Sequence, residues 1–159
     1  MSLFGPPDVR ALREEGDIKG LIGALKYQKN PDVAHEAVQA LGVLVSSGIR
    51  DSRAVEALMD ILTGDGHGDQ TLQHLAVQWL GSMGDPRAIE VLIPALAGNP
   101  NTRCVAATSL GRMAEEGIRD RRSIAPLVSA LDDTDPGVRI CAAQALEQLG
   151  WQPERTRAA

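Results

Sequence analysis

Apolar residues recur along this chain at helical spacing, in segments of two alternating kinds. The first kind is short: Ile18, Leu21, Ile22 and Leu25; then Val55, Leu58, Met59 and Leu62; then Ile89, Leu92, Ile93 and Leu96; then Ile124, Leu127, Val128 and Leu131. That i, i+3, i+4, i+7 spacing belongs to a helix with one buried face. The second kind ends on a marker, Leu41-Gly42, Leu80-Gly81 and Leu110-Gly111, with a fourth register at Leu146-Glu147 where the glycine is lost. Counting back from the second residue of each marker, the fifth position is always alanine (Ala37, Ala76, Ala106, Ala142) and the ninth is Val33, Leu72, Thr102 or Val138. Together with the marker leucines these positions span about 80° of a helical wheel, one buried stripe. The pattern predicts four helical hairpins, each a helix A followed by a helix B, over residues 17–47, 51–84, 85–116 and 120–150.

Polar punctuation agrees with the apolar pattern. Twelve residues before the same reference position stand Asn30, Asp69, Asn99 and Asp135, side chains able to accept a hydrogen bond from a free N–H of the first helical turn. Pro31, Pro100 and Pro136 follow three of them, where the missing N–H costs nothing and the fixed φ suits a helix start. Three A helices open on Asp51, Asp85 and Asp120, each with arginine two residues later. After the first and third markers the chain runs to Gly48-Ile49-Arg50-Asp51 and Gly117-Ile118-Arg119-Asp120, a match 69 residues apart, whereas after the second it turns sooner, at Gly84-Asp85-Pro86. These glycines suit a left-handed residue just past a helix, with Ile49, Ile118 and Trp151 supplying the apolar contact that accompanies it. The longer period predicts longer B helices in units one and three and suggests that a pair of hairpins was duplicated. A short helix from Asp8 to about Glu15 is expected to cap the first hairpin within residues 1–16, with residues 151–159 a tail.

Composition narrows the architecture and the chemistry. Apolar residues make up 43% of the 159 positions but aromatics only 3%, so Leu, Ile, Val and Ala must fill the core, which favours close-packed helices. The net charge of −5 is spread along the chain, with no run of like charge before the tail. Phosphate neutralisation needs clustered Lys and Arg, so nucleic acid is not the expected partner. Cys104 and Cys141 form no CxxC pair, which reads as a reduced, cytoplasmic protein. The start of the chain, Met1 to Asp8, has no basic segment leading into an apolar run, and no stretch of 18 apolar residues occurs anywhere, so neither a leader nor a membrane span is expected.

The run Asp135-Pro136-Gly137-Val138-Arg139, with Ala142-Ala143 and Ala145-Leu146 behind it, resembles the HEAT-like repeat first described in phycobilisome lyases, and Asp85-Pro86-Arg87-Ala88-Ile89 resembles that family's start of helix A. The opening Leu3-Phe4-Gly5-Pro6-Pro7-Asp8-Val9 is similar to the start of many prokaryotic HEAT-repeat proteins. The resemblance covers about residues 17 to 150 and implies an all-α fold, an α-α superhelix or armadillo-like solenoid in one domain. The aromatic positions of tetratricopeptide repeats and the Thr-Pro-Leu-His of ankyrin repeats are both absent. In this class helix B lines the concave side. The wheel places two columns opposite the buried stripe, seven and three residues before the reference position: His35, His74, Cys104, Ile140 and Gln39, Gln78, Thr108, Gln144. These uncharged, moderately polar columns are the expected surface for a protein partner.

Three chemical readings compete with a scaffold. Deoxyhypusine hydroxylase, a HEAT-like protein, binds two irons through four His-Glu pairs, but this chain has one, His35-Glu36; His74 precedes Leu75, Cys104 precedes Val105 and Ile140 precedes Cys141. At about 8–10 Å per neighbouring helix, His35 and Cys104 would lie roughly 20 Å apart, too far to share an ion. The lyase resemblance also implies a helper of bilin attachment, although such lyases are longer and work as pairs of unlike subunits. HEAT-like DNA glycosylases line their groove with basic and aromatic side chains, which these columns lack. The glycine-rich loop Thr63-Gly64-Asp65-Gly66-His67-Gly68-Asp69 carries two carboxylates and an imidazole, fewer oxygens than a calcium loop needs. It reads as a flexible insertion edging the binding face. No serine-histidine-acid set, phosphate loop or zinc signature occurs. The sequence thus predicts a non-catalytic interaction module without cofactor or metal, acting as a monomer or a weak self-associator.

Overall fold

A computed structural model of the chain describes residues 5–27, 29–49, 51–64 and 69–152. Every regular element among them is helical: α1 (Val9–Glu14), α2 (Ile18–Leu25), α3 (Pro31–Ser46), α4 (Ser52–Thr63), α5 (Gln70–Met83), α6 (Ile89–Ala95), α7 (Pro100–Glu115), α8 (Ile124–Ser129) and α9 (Pro136–Gln148). Helix α1 is the expected cap. The A helices are α2, α4, α6 and α8, and the B helices are α3, α5, α7 and α9. Helices α3 and α7 have 16 residues against 14 and 13 for α5 and α9, as the long period predicted.

The helix starts follow the predicted punctuation. All four B-helix caps accept from first-turn N–H groups: Asn30 from Asp32, Asp69 from Thr71 and Leu72, Asn99 from Thr102, and Asp135 from Gly137 and Val138. At the A-helix starts the repeated Asp and Arg form one device. Asp51 accepts from the backbone N–H of Arg53 at 2.9 Å and from its guanidinium at 2.6 Å, and Asp85 with Arg87 and Asp120 with Arg122 do the same. The aspartate caps the helix while the arginine closes over the cap. Asp17 caps α2 without an arginine, accepting from Gly20.

The ends follow as well. Gly48, Gly117 and Gly150 have φ of 98°, 88° and 73°, and the next residue, Ile49, Ile118 or Trp151, donates its N–H to Leu44, Met113 or Leu146 five residues back. That bond satisfies a carbonyl that the helix end leaves free. Helices α6 and α8 start as short 3₁₀ turns, Pro86–Ala88 and Arg121–Ser123, and α8 also ends in one, Ala130–Asp132.

The described residues pack as two compact units, one within Met1–Trp79 and one within Leu80–Ala159, with the division inside α5. In the first, α1 packs on α2 and α3, α2 on α3, and α2 also meets α4. In the second, α7 packs against α6 and α9, and α8 against α9. The predicted B stripe is the core: Ala37, Ala76, Ala106 and Ala142 are fully buried, the marker leucines at most 3% exposed, and Val33, Leu72, Thr102 and Val138 buried behind them. The A stripe is turned from its predicted centre. Ile22, Met59, Ile93 and Val128 are each only half-buried, while Ala54, Ala57 and Ile61 on α4 and Ala88 and Val91 around α6 are buried instead. A wheel weighted by side-chain size passes over alanine, although these alanines lie in the core.

Candidate functional site

The two columns predicted to face outward divide by depth. Gln39, Gln78, Thr108 and Gln144 are all exposed, as the wheel requires of positions opposite Ala37, Ala76, Ala106 and Ala142. In the other column His35, His74 and Cys104 are half-buried, and only Ile140 stands out, 60% exposed.

Helices α3 and α5 carry the columns of the first unit. The side chain of His35 leans against the start of α5, with Nε2 2.8 Å from Oδ2 of Asp69. Asp69 thus caps α5 with one oxygen and meets the imidazole with the other. The Leu72 N–H holds its carboxyl below the usual carboxylate range, with burial opposing and His35 and the Thr71 N–H adding to the lowering. His35 is a strut between two B helices more than a solvated contact residue. Of the glycine-rich loop, Asp65, Gly66, His67 and Gly68 lie outside the described residues; Asp69 serves as the cap. Gln39 opens on a shallow groove between α1 and α3, lined also by Val9, Arg10, Arg13, Glu36 and Val43.

Helices α7 and α9 carry the second unit's columns, and here the cysteine reading needs correction. Cys104 and Cys141 are not reduced, separate thiols but a disulfide linking α7 to α9, with Cα atoms 5.4 Å apart. The 37-residue separation hid this. Each cysteine sits at nearly the same place in its repeat, and packing of successive B helices brings equivalent places together. Thr108 donates its hydroxyl hydrogen to the carbonyl of Cys104, leaving that oxygen able to accept from outside. Gln144 and Ile140 complete the face on α9.

Two features escaped sequence reasoning. Arg103 on α7 donates to the Gly98 carbonyl at 2.8 Å and to Asp133 at 2.7 Å, fastening the A–B turns of two successive repeats. Arg139, at the equivalent position of α9, donates to the carbonyls of Asp133 and Thr134. The signal available was arginine eight residues before the reference position in both repeats. The second feature is a groove between α2 and α4, with Ile22, Leu25, Ala57 and Ile61 on its floor and Lys19, Lys26 and Asp60 among its rim. The half-buried A-helix positions mark it.

Among the described residues, no three His, Cys, Asp or Glu side chains gather as a metal-binding group, and no helix is long and apolar enough to cross a membrane.

Known proteins place this geometry. No curated protein matches the sequence. Among solved structures, an engineered protein from the Northeast Structural Genomics Consortium superposes with a TM-score of 0.67 at 25% identity, over 92% of this chain and 41% of that one. The complex of CpcE and CpcF of phycocyanin lyase from Nostoc sp. PCC7120 superposes with a TM-score of 0.66 at 22% identity, over 93% of this chain and 58% of that one. The chain therefore spans less than two thirds of the length of either, and the likeness to the lyase shows a shared fold. Two matches to the family model for HEAT repeats, over residues 18–98 and 89–158, take in most of the sequence, and the chain belongs to the HEAT-repeat family.

Proposed function

We propose that this chain is a non-catalytic scaffold that holds a protein partner on the outward columns of its B helices: Gln39 and Gln78 in the first unit, Thr108, Ile140 and Gln144 in the second. The observation that carries the reading is the exposure of Gln39, Gln78, Thr108 and Gln144, each on the face of its own helix opposite a fully buried alanine. Amide and hydroxyl groups there can donate to and accept from peptide groups, and Ile140 adds an apolar contact. HEAT repeats present such faces as extended binding surfaces. His35, His74 and Cys104 support the face from beneath and contribute less direct contact than their wheel positions suggested.

A second reading follows from the likeness to the phycocyanin lyase complex: a helper of chromophore attachment that works beside an unlike subunit. One experiment separates the two. Wild-type protein and a variant carrying Gln39→Arg, Gln78→Arg and Gln144→Arg are used to capture binders from native lysate, with bound proteins identified by mass spectrometry and bound pigment by absorbance. The scaffold reading predicts a protein held by wild type, lost by the variant, and free of pigment. Capture of a bilin or of a bilin-carrying protein favours the helper. Equal capture by both proteins removes the columns from the binding surface.

A further inference from the structure

We infer that Cys104 and Cys141 form a reversible redox-modification site, cycling between dithiol and disulfide by exchange with a small-molecule disulfide of the glutathione class. The inference does not depend on the partner reading above. Three observations carry it. First, the bonded pair lies outside the core. Ala106, Ala107, Leu110 and Met113 of α7 and Ala142, Ala145 and Leu146 of α9 are buried, whereas both cysteines are part-exposed. Second, the two helices also meet away from the sulfurs. Gly111 of α7 lies against Ala145 of α9, where a β-carbon on the glycine would come within 2.9 Å of the alanine Cα, so the backbones approach closely at a point where no cysteine takes part. Third, the bonded cysteines have Cα atoms 5.4 Å apart, inside the range a disulfide requires. The bond thus joins two helices whose buried side chains already meet, and which have their own reason to stay together when the sulfurs part. A disulfide that replaced a missing core would show the opposite arrangement.

The exchange balances in two steps. One protein thiolate attacks a sulfur of the glutathione disulfide, forming a mixed disulfide and expelling one glutathione thiolate. The other protein thiolate attacks the protein-side sulfur of that mixed disulfide, forming the Cys104–Cys141 bond and expelling the second glutathione thiolate. The two protons lost by the protein thiols are taken up by the two departing thiolates. The protein pair loses two electrons, and the small disulfide gains them; excess reduced glutathione reverses both steps. Oxidation ties α7 to α9 beside Thr108 and Ile140, and reduction frees the same stretch of surface.

The test equilibrates the whole chain in buffers graded from reduced to oxidised glutathione, quenches with acid, and counts free thiols by alkylation with a maleimide-linked polymer. Helix content is followed by circular dichroism in the same samples. The expected result is a transition from two free thiols to none within the series, with unchanged helix signal throughout. Either Cys104→Ser or Cys141→Ser, made singly, should abolish the intramolecular bond and leave one thiol that forms only a glutathione adduct, visible by mass. Thiols that remain free at the oxidising end would overturn the proposal. So would a bond that resists the reducing end until denaturant is added, or helix loss that tracks reduction.

Discussion

Gly42 of α3 lies under the indole of Trp79 of α5, so close that a β-carbon on the glycine would run into Cδ2, Cε2 and Cε3 of the ring. The same relationship recurs at Gly81 beneath Ser109 and at Gly111 beneath Ala145. In each case the residue just before a marker leucine rests on the glycine just after the preceding one. The Leu-Gly marker is therefore a pairing rule for consecutive B helices: leucine fills the core, and glycine makes room for the next helix. In α9, the last B helix among the described residues, the glycine position is Glu147, which is exposed.

This rule separates glycines that look alike in sequence. Gly42→Ala should lower stability by about 1–3 kcal/mol, the usual cost of overpacking, set against the gain of up to about 1 kcal/mol that alanine brings to a helix. Gly23→Ala on α2 meets nothing within 4 Å, so it should keep that gain whole. Urea denaturation midpoints of the two variants should move in opposite directions from wild type. Equal shifts would mean that the Trp79 ring does not rest on Gly42.

Gly117 is needed for a third reason. Its φ is 88° and nothing lies within 4 Å of where a β-carbon would stand, so the cost of a side chain is in the backbone alone. Gly117→Ala should cost about 1–2 kcal/mol, the penalty of the left-handed region for a residue with a β-carbon. Gly117→Asn should recover part of that loss, because asparagine tolerates this conformation best after glycine. The same denaturation measurement checks both, and an alanine variant as stable as wild type would show that α7 ends differently.

The sequence was most legible where one residue answers to local chemistry. The caps at Asn30, Asp69, Asn99 and Asp135 could be read because each bonds within three residues of itself. The B stripe could be read because the same positions recur four times, and the exposed Gln39 and Gln144 follow from it by geometry. What could not be read depends on distant partners. Cys104 and Cys141 are joined by α7–α9 packing, and His35 meets an aspartate on another helix. Arg103 resembles any surface arginine until the Asp133 turn is placed beside it. The depth of Ala54 and Ala57 shows a further limit, since small side chains carry little hydrophobic weight.

Leu80 tests the repeat register directly. It is fully buried on α5, the marker leucine of the second repeat. Leu80→Ala should cost about 2–5 kcal/mol, the lost transfer energy plus the cavity left behind, while Gln39→Ala, on the exposed side of α3, should stay within about 0.5 kcal/mol. Thermal and urea unfolding of the two variants provide the comparison. A negligible loss at Leu80 would mean that the stripe does not face the core.

Acid should destabilise the protein through its aspartate devices. Hydrogen bonds from the side chains of Arg53, Arg87, Arg122 and Arg103 hold Asp51, Asp85, Asp120 and Asp133 below the usual carboxylate range, and the Leu72 N–H does the same for Asp69. A lowered folded pKa means that the unfolded chain binds more protons in acid. The stability these groups add is complete above their unfolded pKa, about 3.9, and is lost as pH falls through the folded values. Stability should therefore show little dependence on these groups between about pH 5 and 8 and fall steeply below about pH 4. Asp120→Asn isolates one share. Asparagine can still cap the Arg121–Ser123 turn, but it gives up the charge that pairs with Arg122, which also reaches Glu90 at 2.7 Å. The variant should be less stable at neutral pH, and the gap to wild type should close toward pH 2, giving a shallower acid limb in a series of urea midpoints. Parallel curves for the two proteins would show that the Asp120–Arg122 pair adds no charge-dependent stability.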